Sequence, residues 1–388
     1  MRAALDDSLS AAAHKSASRR IASLDWARGI MLVASVLSNS LIAPPKWFDH
    51  ARWSGIHPID IIFPMFVTLS GCGLAFAMHR RVKPGPLARR FAVLMLVGLA
   101  YNAVMAWSLD VATWRVTGVL QLYAVLVALM GVLHLVTRSW RGWAALTVIL
   151  AVAHTTLLGL YARSCPAGVL TRECNPSGPL DSLLVGANHI YALGQAGHDP
   201  EGLVAILGAL VSAAAGATVG HLLLGLRGRG PRAAWPWLPP TLALGGTAAG
   251  FLLLIVALRL LAVPLGLELA FVKRIWTAPF ALLIAALTTM LLLVGHLLLD
   301  REPALRGVER ASFPLLALGR NSLLVYFGSH ILMSLLRRPI GEAPSIVERY
   351  SAVMASPVVA QVVWSGALLA FWTTLAAGFH WRGIYLRP

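Results

Sequence analysis

Ten apolar stretches, each near the ~20 residues that a helix needs to cross a ~30 Å hydrocarbon core, run through this 388-residue sequence. They lie near 24–43, 60–79, 90–107, 117–136, 143–162, 202–225, 237–262, 276–298, 313–336 and 357–378. With 58% hydrophobic and only 12% charged residues, the composition falls outside the range of soluble domains. The expected fold is an all-α polytopic membrane protein, a bundle of about ten transmembrane helices embedded in the lipid bilayer.

The basic residues orient that bundle. Placing the N-terminus in the cytoplasm puts Arg2, Lys15, Arg19 and Arg20, the Arg80–Arg90 loop and the Arg227–Arg232 loop inside. Inner segments then hold a two-to-one excess of Lys and Arg over outer ones, so both termini are expected to be cytoplasmic. The formal net charge of +16 reads as topology and contact with anionic lipid. Nucleic acid is not an expected partner, because no separate basic domain exists. Residues 1–22 read as a basic cytoplasmic tail without a cleavable apolar core of its own, and 23–388 as the transmembrane domain. The longest connection, Arg163 to Glu201, is too short for a soluble catalytic module, so any chemistry belongs to the bundle. It holds Cys165 and Cys174 on the expected outer side, where a local disulfide is plausible; Cys72 reads as a packing residue. No internal repeat is evident, which weighs against a transporter.

Polar side chains concentrate between the first two spans, in the run from Asn39 through His50, Trp53, His57 and Asp60 to Pro64. Such groups at membrane depth are costly and point to function. Pro44-Pro45 ends the first span, which leaves Asn39 in its last turns. Measured from residue 24, Asn39 lies ~22 Å along the helix, toward the outer leaflet. His50, Trp53 and His57 would share one face if the returning segment were helical. An imidazole titrates near neutrality and suits a general base or nucleophile, while an interfacial His-Trp pair can equally be an aromatic-belt anchor. Pro64 cannot bond to the carbonyl of residue 60, so a kink there would turn the Asp60 carboxylate toward a water-filled cavity; holding helices together is the alternative.

Several blocks in order along the chain carry a resemblance. They are Ser23-Leu-Asp25-Trp-Ala-Arg28-Gly29, Asn39, His50-Ala-Arg-Trp53-Ser-Gly55, Asp60-Ile-Ile-Phe-Pro64, Val116-Thr-Gly118-Val-Leu-Gln121 and Asp199-Pro-Glu201-Gly202. Lys273-Arg-Ile-Trp276-Thr277, Gly319-Arg320-Asn321-Ser-Leu-Leu-Val-Tyr326 and Trp381-Arg-Gly-Ile-Tyr-Leu follow. Together they resemble the catalytic domain of the heparan-α-glucosaminide N-acetyltransferase family of transmembrane acyltransferases. Two departures stand out: Leu122 follows Gln121 where an arginine is common, and the luminal domain of lysosomal members is not present before the first span. The second fits a compact bacterial-type member in the inner membrane.

The resemblance implies acetyl transfer from cytoplasmic acetyl-CoA to an amino sugar or other glycan acceptor at the outer face. His50 and Asn39 match the family's active-site positions. His50 would be the base or would carry the acetyl group, and Asn39 would hold the imidazole or donate to the thioester oxygen. Asp60, Trp53, His57, Asp199, Glu201, Lys273 and Trp276 are candidates for lining that site. Asp25, Arg28, Arg320 and Asn321 are candidates for the acetyl-CoA side, with an Asp25–Arg28 ion pair as the plainer alternative. Asp199 and Glu201 could bind a cationic amine or cap the sixth span. His134, His154, His221 and His296 lack metal-ligand spacing, so no metal is expected. Homodimerisation is left open. Two other classes compete: an O-acyltransferase of a cell-surface or periplasmic glycan, and a proton-coupled transporter with His50 and Asp60 as relay.

Overall fold

The computed structural model describes residues 21–227, 238–263, 268–301, 305, 307–339 and 341–386. Arg2, Lys15, Arg19, Arg20, Arg229, Arg232, Arg306 and Arg387, and nearly all of the expected cytoplasmic tail, lie outside the described residues. The described fold is all-helical. Its first helices are α1 (Ala22–Asn39), α2 (Pro58–Met78), α3 (Pro84–Ala106), α4 (Val119–Val136) and α5 (Trp140–Ala162). After them come the short α6 (Ser177–Val185), then α7 (Leu203–Arg227), α8 (Leu238–Ala262) and α9 (Ala278–Gly295). The chain closes with α10 (Val308–Ala311), α11 (Phe313–Arg320), α12 (Ser322–Leu336), α13 (Ile346–Val353) and α14 (Pro357–Trp381).

Eight described helices are long and apolar enough to cross a membrane, and each coincides with one of the ten expected spans. The other two expected spans are helical as well, with polar interruptions. α1 is 18 residues long and carries Asp25 and Arg28. The ninth span breaks at Asn321 into α11 and α12, and the Asn321 amide donates to the carbonyls of Ala317 (3.1 Å) and Ala376 (3.3 Å), tying the break to α14. Side-chain donors of this kind satisfy carbonyls that a broken helix leaves without partners.

The bundle centres on α7, the most buried of the spanning helices. Its run of alanine and glycine allows close approach: Gly216 faces the Thr68 carbonyl and Gly71 of α2 faces the Ala213 carbonyl, where a Cβ on either glycine would collide. Small residues at helix contacts are how membrane bundles gain van der Waals packing when lipid offers no hydrophobic contrast. α1 and α11 approach in the same way, Gly319 lying against the Asp25 carbonyl, and this brings Asp25 beside Arg320. α3 and α14 bury only 17% of their apolar windows, so most of their surface is left for lipid.

Cys165 and Cys174 form a disulfide in the α5–α6 connection, with Cα atoms 5.8 Å apart, and the one free thiol, Cys72, is buried. A labelling test of topology therefore starts from a silent background. Leu183 on α6 is 82% exposed, and Gly85 has open space where a Cβ would stand. Leu183→Cys is expected to react with an impermeant maleimide in cells whose outer layer is permeabilised, and Gly85→Cys only after lysis. The opposite pattern would invert the charge-based orientation.

Candidate active site

The first reversal builds the site. α1 ends at Asn39, and the Arg337 guanidinium donates to the carbonyls of Asn39 (3.0 Å) and Leu41 (2.7 Å), meeting the helix's negative end with a cation. The chain then passes a turn at Lys46–Phe48 and an irregular stretch before α2 starts at Pro58. Gly55 adopts φ +101°, a conformation that glycine takes without strain, and its N–H donates to the Phe271 carbonyl (2.9 Å). The returning segment is thus not helical, and His50, Trp53 and His57 diverge rather than share a face. The Trp53 indole donates to the Leu170 carbonyl (2.9 Å) and meets His198 edge-on, so it anchors the α5–α6 connection. The His57 imidazole turns to the Asp49 carbonyl.

His50 goes to Asp60. α2 runs on through Pro64, which leaves Asp60 in the helix's first turn, buried, where the helix N-terminus favours an anion. Instead of opening to a cavity, the carboxylate has four partners. One oxygen meets His50 Nδ1 (2.6 Å) and Lys273 Nζ (3.2 Å), while the other accepts the backbone N–H groups of Ala51 (3.1 Å) and His57 (3.0 Å). A carboxylate only accepts, so Nδ1 carries a proton, and in the neutral imidazole Nε2 is then the nitrogen that keeps its lone pair. Lys273 Nζ also stands 3.0 Å from Nδ1, because both nitrogens donate to the same oxygen. Burial lowers the Lys273 ammonium from its ordinary value, and Asp60 and Glu201 oppose that by favouring its charge.

A cavity of about 400 Å³ opens over His50, lined also by Asn39, Glu201, Lys273, His330 and Arg337. Asn39 does not orient the histidine: its amide donates to the Ser329 carbonyl (3.1 Å), and Asp60 takes the orienting role. Glu201 is held by Arg115 (2.6 Å), which also bonds Asp199 (2.9 Å). Asp199 is fully buried and accepts from Thr117 and from the Tyr191 N–H (2.9 Å), so it fixes the loop rather than lining the cavity. Neither acid caps α7; the Leu203 N–H goes to Asp181 (2.6 Å). Burial opposes the Arg115 charge, and the two acids more than offset it, raising Arg115 from its ordinary value.

A second cavity of about 570 Å³ lies toward the other end of the bundle. Arg28, Arg90 and Arg320 line it with Asp25, which pairs with Arg320 (3.2 Å) and Arg28 (3.6 Å). Among the described residues Nε of Arg90 is buried without a hydrogen-bond partner. Phe63, Val119 and Tyr326 line both cavities and so form the waist between them. Besides Trp53, His57, Asp60 and Asp199, two further expected lining residues fall outside both cavities. Asn321 is spent on the helix break, and Trp276 is buried with its indole on Ser212 (3.0 Å), backing Phe63 edge-on. Arg90, His330 and Arg337 were not singled out from the sequence; only the four-residue spacing from Tyr326 to His330 hinted at one of them. No group of three or more metal-ligating side chains occurs among the described residues.

The helical bundle thus holds an imidazole oriented by a buried carboxylate in one of two cavities that meet at a waist. Comparison with known proteins finds similar chains. Residues 20–167 match the family model described as heparan-alpha-glucosaminide N-acetyltransferase, catalytic. Heparan-alpha-glucosaminide N-acetyltransferase of Homo sapiens is 24% identical over 365 residues, covering 80% of this chain and 53% of the human protein. The Mus musculus protein of the same name is 22% identical over 373 residues, covering 82% of this chain and 54% of its own length. The chain therefore spans about half the length of these curated relatives.

Proposed function

We propose that this protein is a transmembrane N-acetyltransferase that moves an acetyl group from cytoplasmic acetyl-CoA to the amine of an amino sugar at the outer face. The observation that carries the reading is the pair of cavities meeting at Phe63, Val119 and Tyr326, with the His50–Asp60 pair in one and three arginines in the other. Guanidinium groups suit the phosphates of acetyl-CoA, and the thin pantetheine arm can reach the waist while the nucleotide stays behind. The sugar enters the other cavity, where the Glu201 carboxylate held by Arg115 is placed to accept from its amine or hydroxyls. As the neutral amine attacks the thioester carbon, His50 Nε2 accepts its proton and Asp60 stabilises the imidazolium through Nδ1. The Asn39 amide has a second N–H beyond the one given to Ser329, free to donate to the thioester oxygen.

The test is coenzyme A release by the purified full chain in detergent, with glucosamine compared against sugars offering only hydroxyls. Release that depends on the amine supports the reading, and release only with hydroxyl acceptors would make the protein an O-acyltransferase. No release with any acceptor would refute acetyl transfer.

The donor side has its own prediction. Removing a charged hydrogen bond to a phosphate costs about 1.5 to 3 kcal/mol, so Arg90→Gln is expected to raise KM for acetyl-CoA about tenfold or more with little change in kcat. An unchanged KM would remove Arg90, and with it this cavity's phosphate role.

A further inference from the structure

Tyr326 is the one polar side chain at the waist. Of the three residues lining both cavities, Phe63 and Val119 carry no polar side-chain atom, so the Tyr326 hydroxyl is the only donor the waist side chains supply where the cavities meet. Its ring is held in place, edge-on to Phe66 (centroids 5.9 Å) and Phe327 (4.9 Å) and tilted over His330 (4.5 Å). Its backbone is held too: the Tyr326 carbonyl accepts from His330 Nδ1 (2.7 Å) and the Ser329 hydroxyl (2.9 Å). Ser329 in turn accepts the Asn39 amide (3.1 Å), so one turn of α12 positions both the tyrosine and the asparagine. No hydrogen bond among the described residues uses the tyrosine hydroxyl. A fixed ring with a free donor at a constriction is preorganised for a reacting atom.

We propose that Tyr326 is a catalytic residue, its hydroxyl donating a hydrogen bond to the thioester sulfur as the carbon–sulfur bond breaks. The assignment rests on the acetyltransferase reading above. If the nucleotide lies among the arginines and the acetyl carbon faces His50, the sulfur joining them lies at the waist. In the step, the amine nitrogen forms a bond to the acyl carbon and passes one proton to His50 Nε2. The carbon–sulfur bond breaks with its electron pair going to sulfur. The departing thiolate is held by the Tyr326 O–H, retreats into the arginine-lined cavity, and takes a proton from water there. The tyrosine keeps its own proton throughout, so it needs no regeneration. Without this donor the sulfur would take on charge beside Phe63 and Val119, whose side chains offer no hydrogen-bond donor.

The test is single-turnover transfer to glucosamine by the full chain carrying Tyr326→Phe, which keeps the ring contacts and deletes only the hydroxyl. The rate with acetyl-CoA is expected to fall about 10²- to 10³-fold, the range for loss of one preorganised donor, with acetyl-CoA binding within a few-fold of wild type. With the acetyl thioester of 4-nitrothiophenol, whose thiolate carries charge readily, the loss should be less than about tenfold. Equal losses with both donors, or an unchanged rate with acetyl-CoA, would overturn the role. A wild-type protein that transfers nothing would instead refute the acetyltransferase reading, and the tyrosine assignment with it.

Discussion

His50→Ala is expected to lower acetyl transfer by about 10² to 10⁴, the usual value of a positioned general base, while leaving a folded protein that still binds acetyl-CoA. The fold should survive because the imidazole is a rim residue, with 46% of its side chain exposed. Deleting the imidazole leaves Asp60 with the Lys273 ammonium at 3.2 Å and both backbone donors, so the buried carboxylate keeps a counter-ion. The arginine-lined cavity does not include His50, and acetyl-CoA affinity should hold. Chemical rescue sharpens the result: added imidazole fits a cavity of about 400 Å³ and should restore part of the rate. His57→Ala should be far milder, because the contact of residue 57 with Asp60 is made by its backbone N–H. Incubation with labelled acetyl-CoA and no acceptor separates the routes. Label retained on His50 indicates an acetyl-imidazole step, and its absence indicates direct attack within a ternary complex. Near-normal transfer by His50→Ala, at matched expression and fold, would sink the site.

Much of this arrangement was legible in the chain, for reasons that are themselves physical. Apolar runs of bilayer length report helices directly, and even the two spans without a clean apolar window, 22–39 and 313–336, are helical. The polar run from Asn39 to Asp60 pointed to the candidate site because lipid tolerates such groups only where they are partnered. What failed was the local geometry inside that run. Spacing alone put His50, Trp53 and His57 on one helical face, yet helix formation begins only at Pro58, and the positive φ of Gly55 redirects the chain before it. Of the two roles read for Asn39, holding the imidazole falls instead to Asp60, ten residues beyond His50, a contact that no periodicity encodes. Trp276 and Lys273 sit in one sequence block with opposite fates, because residues 273–275 form a single tight turn and the positive φ of Trp276 sends its indole into the core. Tyr326 was visible as part of a block but not as a site residue, since its significance depends on two cavities that only packing creates.

Asp60→Asn should be the more damaging change, and a companion variant shows why. The carboxylate fixes the His50 tautomer, and in enzymes with a histidine–carboxylate pair the equivalent substitution costs on the order of 10⁴ in kcat, because the imidazole then carries its proton on the wrong nitrogen. Here the amide would also leave the Lys273 ammonium without its nearest anion, in a place where it is only 18% exposed. Breaking a buried pair by removing one partner typically costs about 3 to 5 kcal/mol, so loss of activity in the single variant could reflect loss of structure. Lys273→Met removes the stranded charge. In the double variant Asp60→Asn/Lys273→Met, thermal stability in detergent should recover most of the deficit while transfer stays down by on the order of 10⁴, because the tautomer fault remains. The two effects separate only if Asp60 acts on His50 as well as on Lys273. A double variant that regained transfer along with stability would reduce Asp60 to a counter-ion for Lys273, and His50 would then need another orienter.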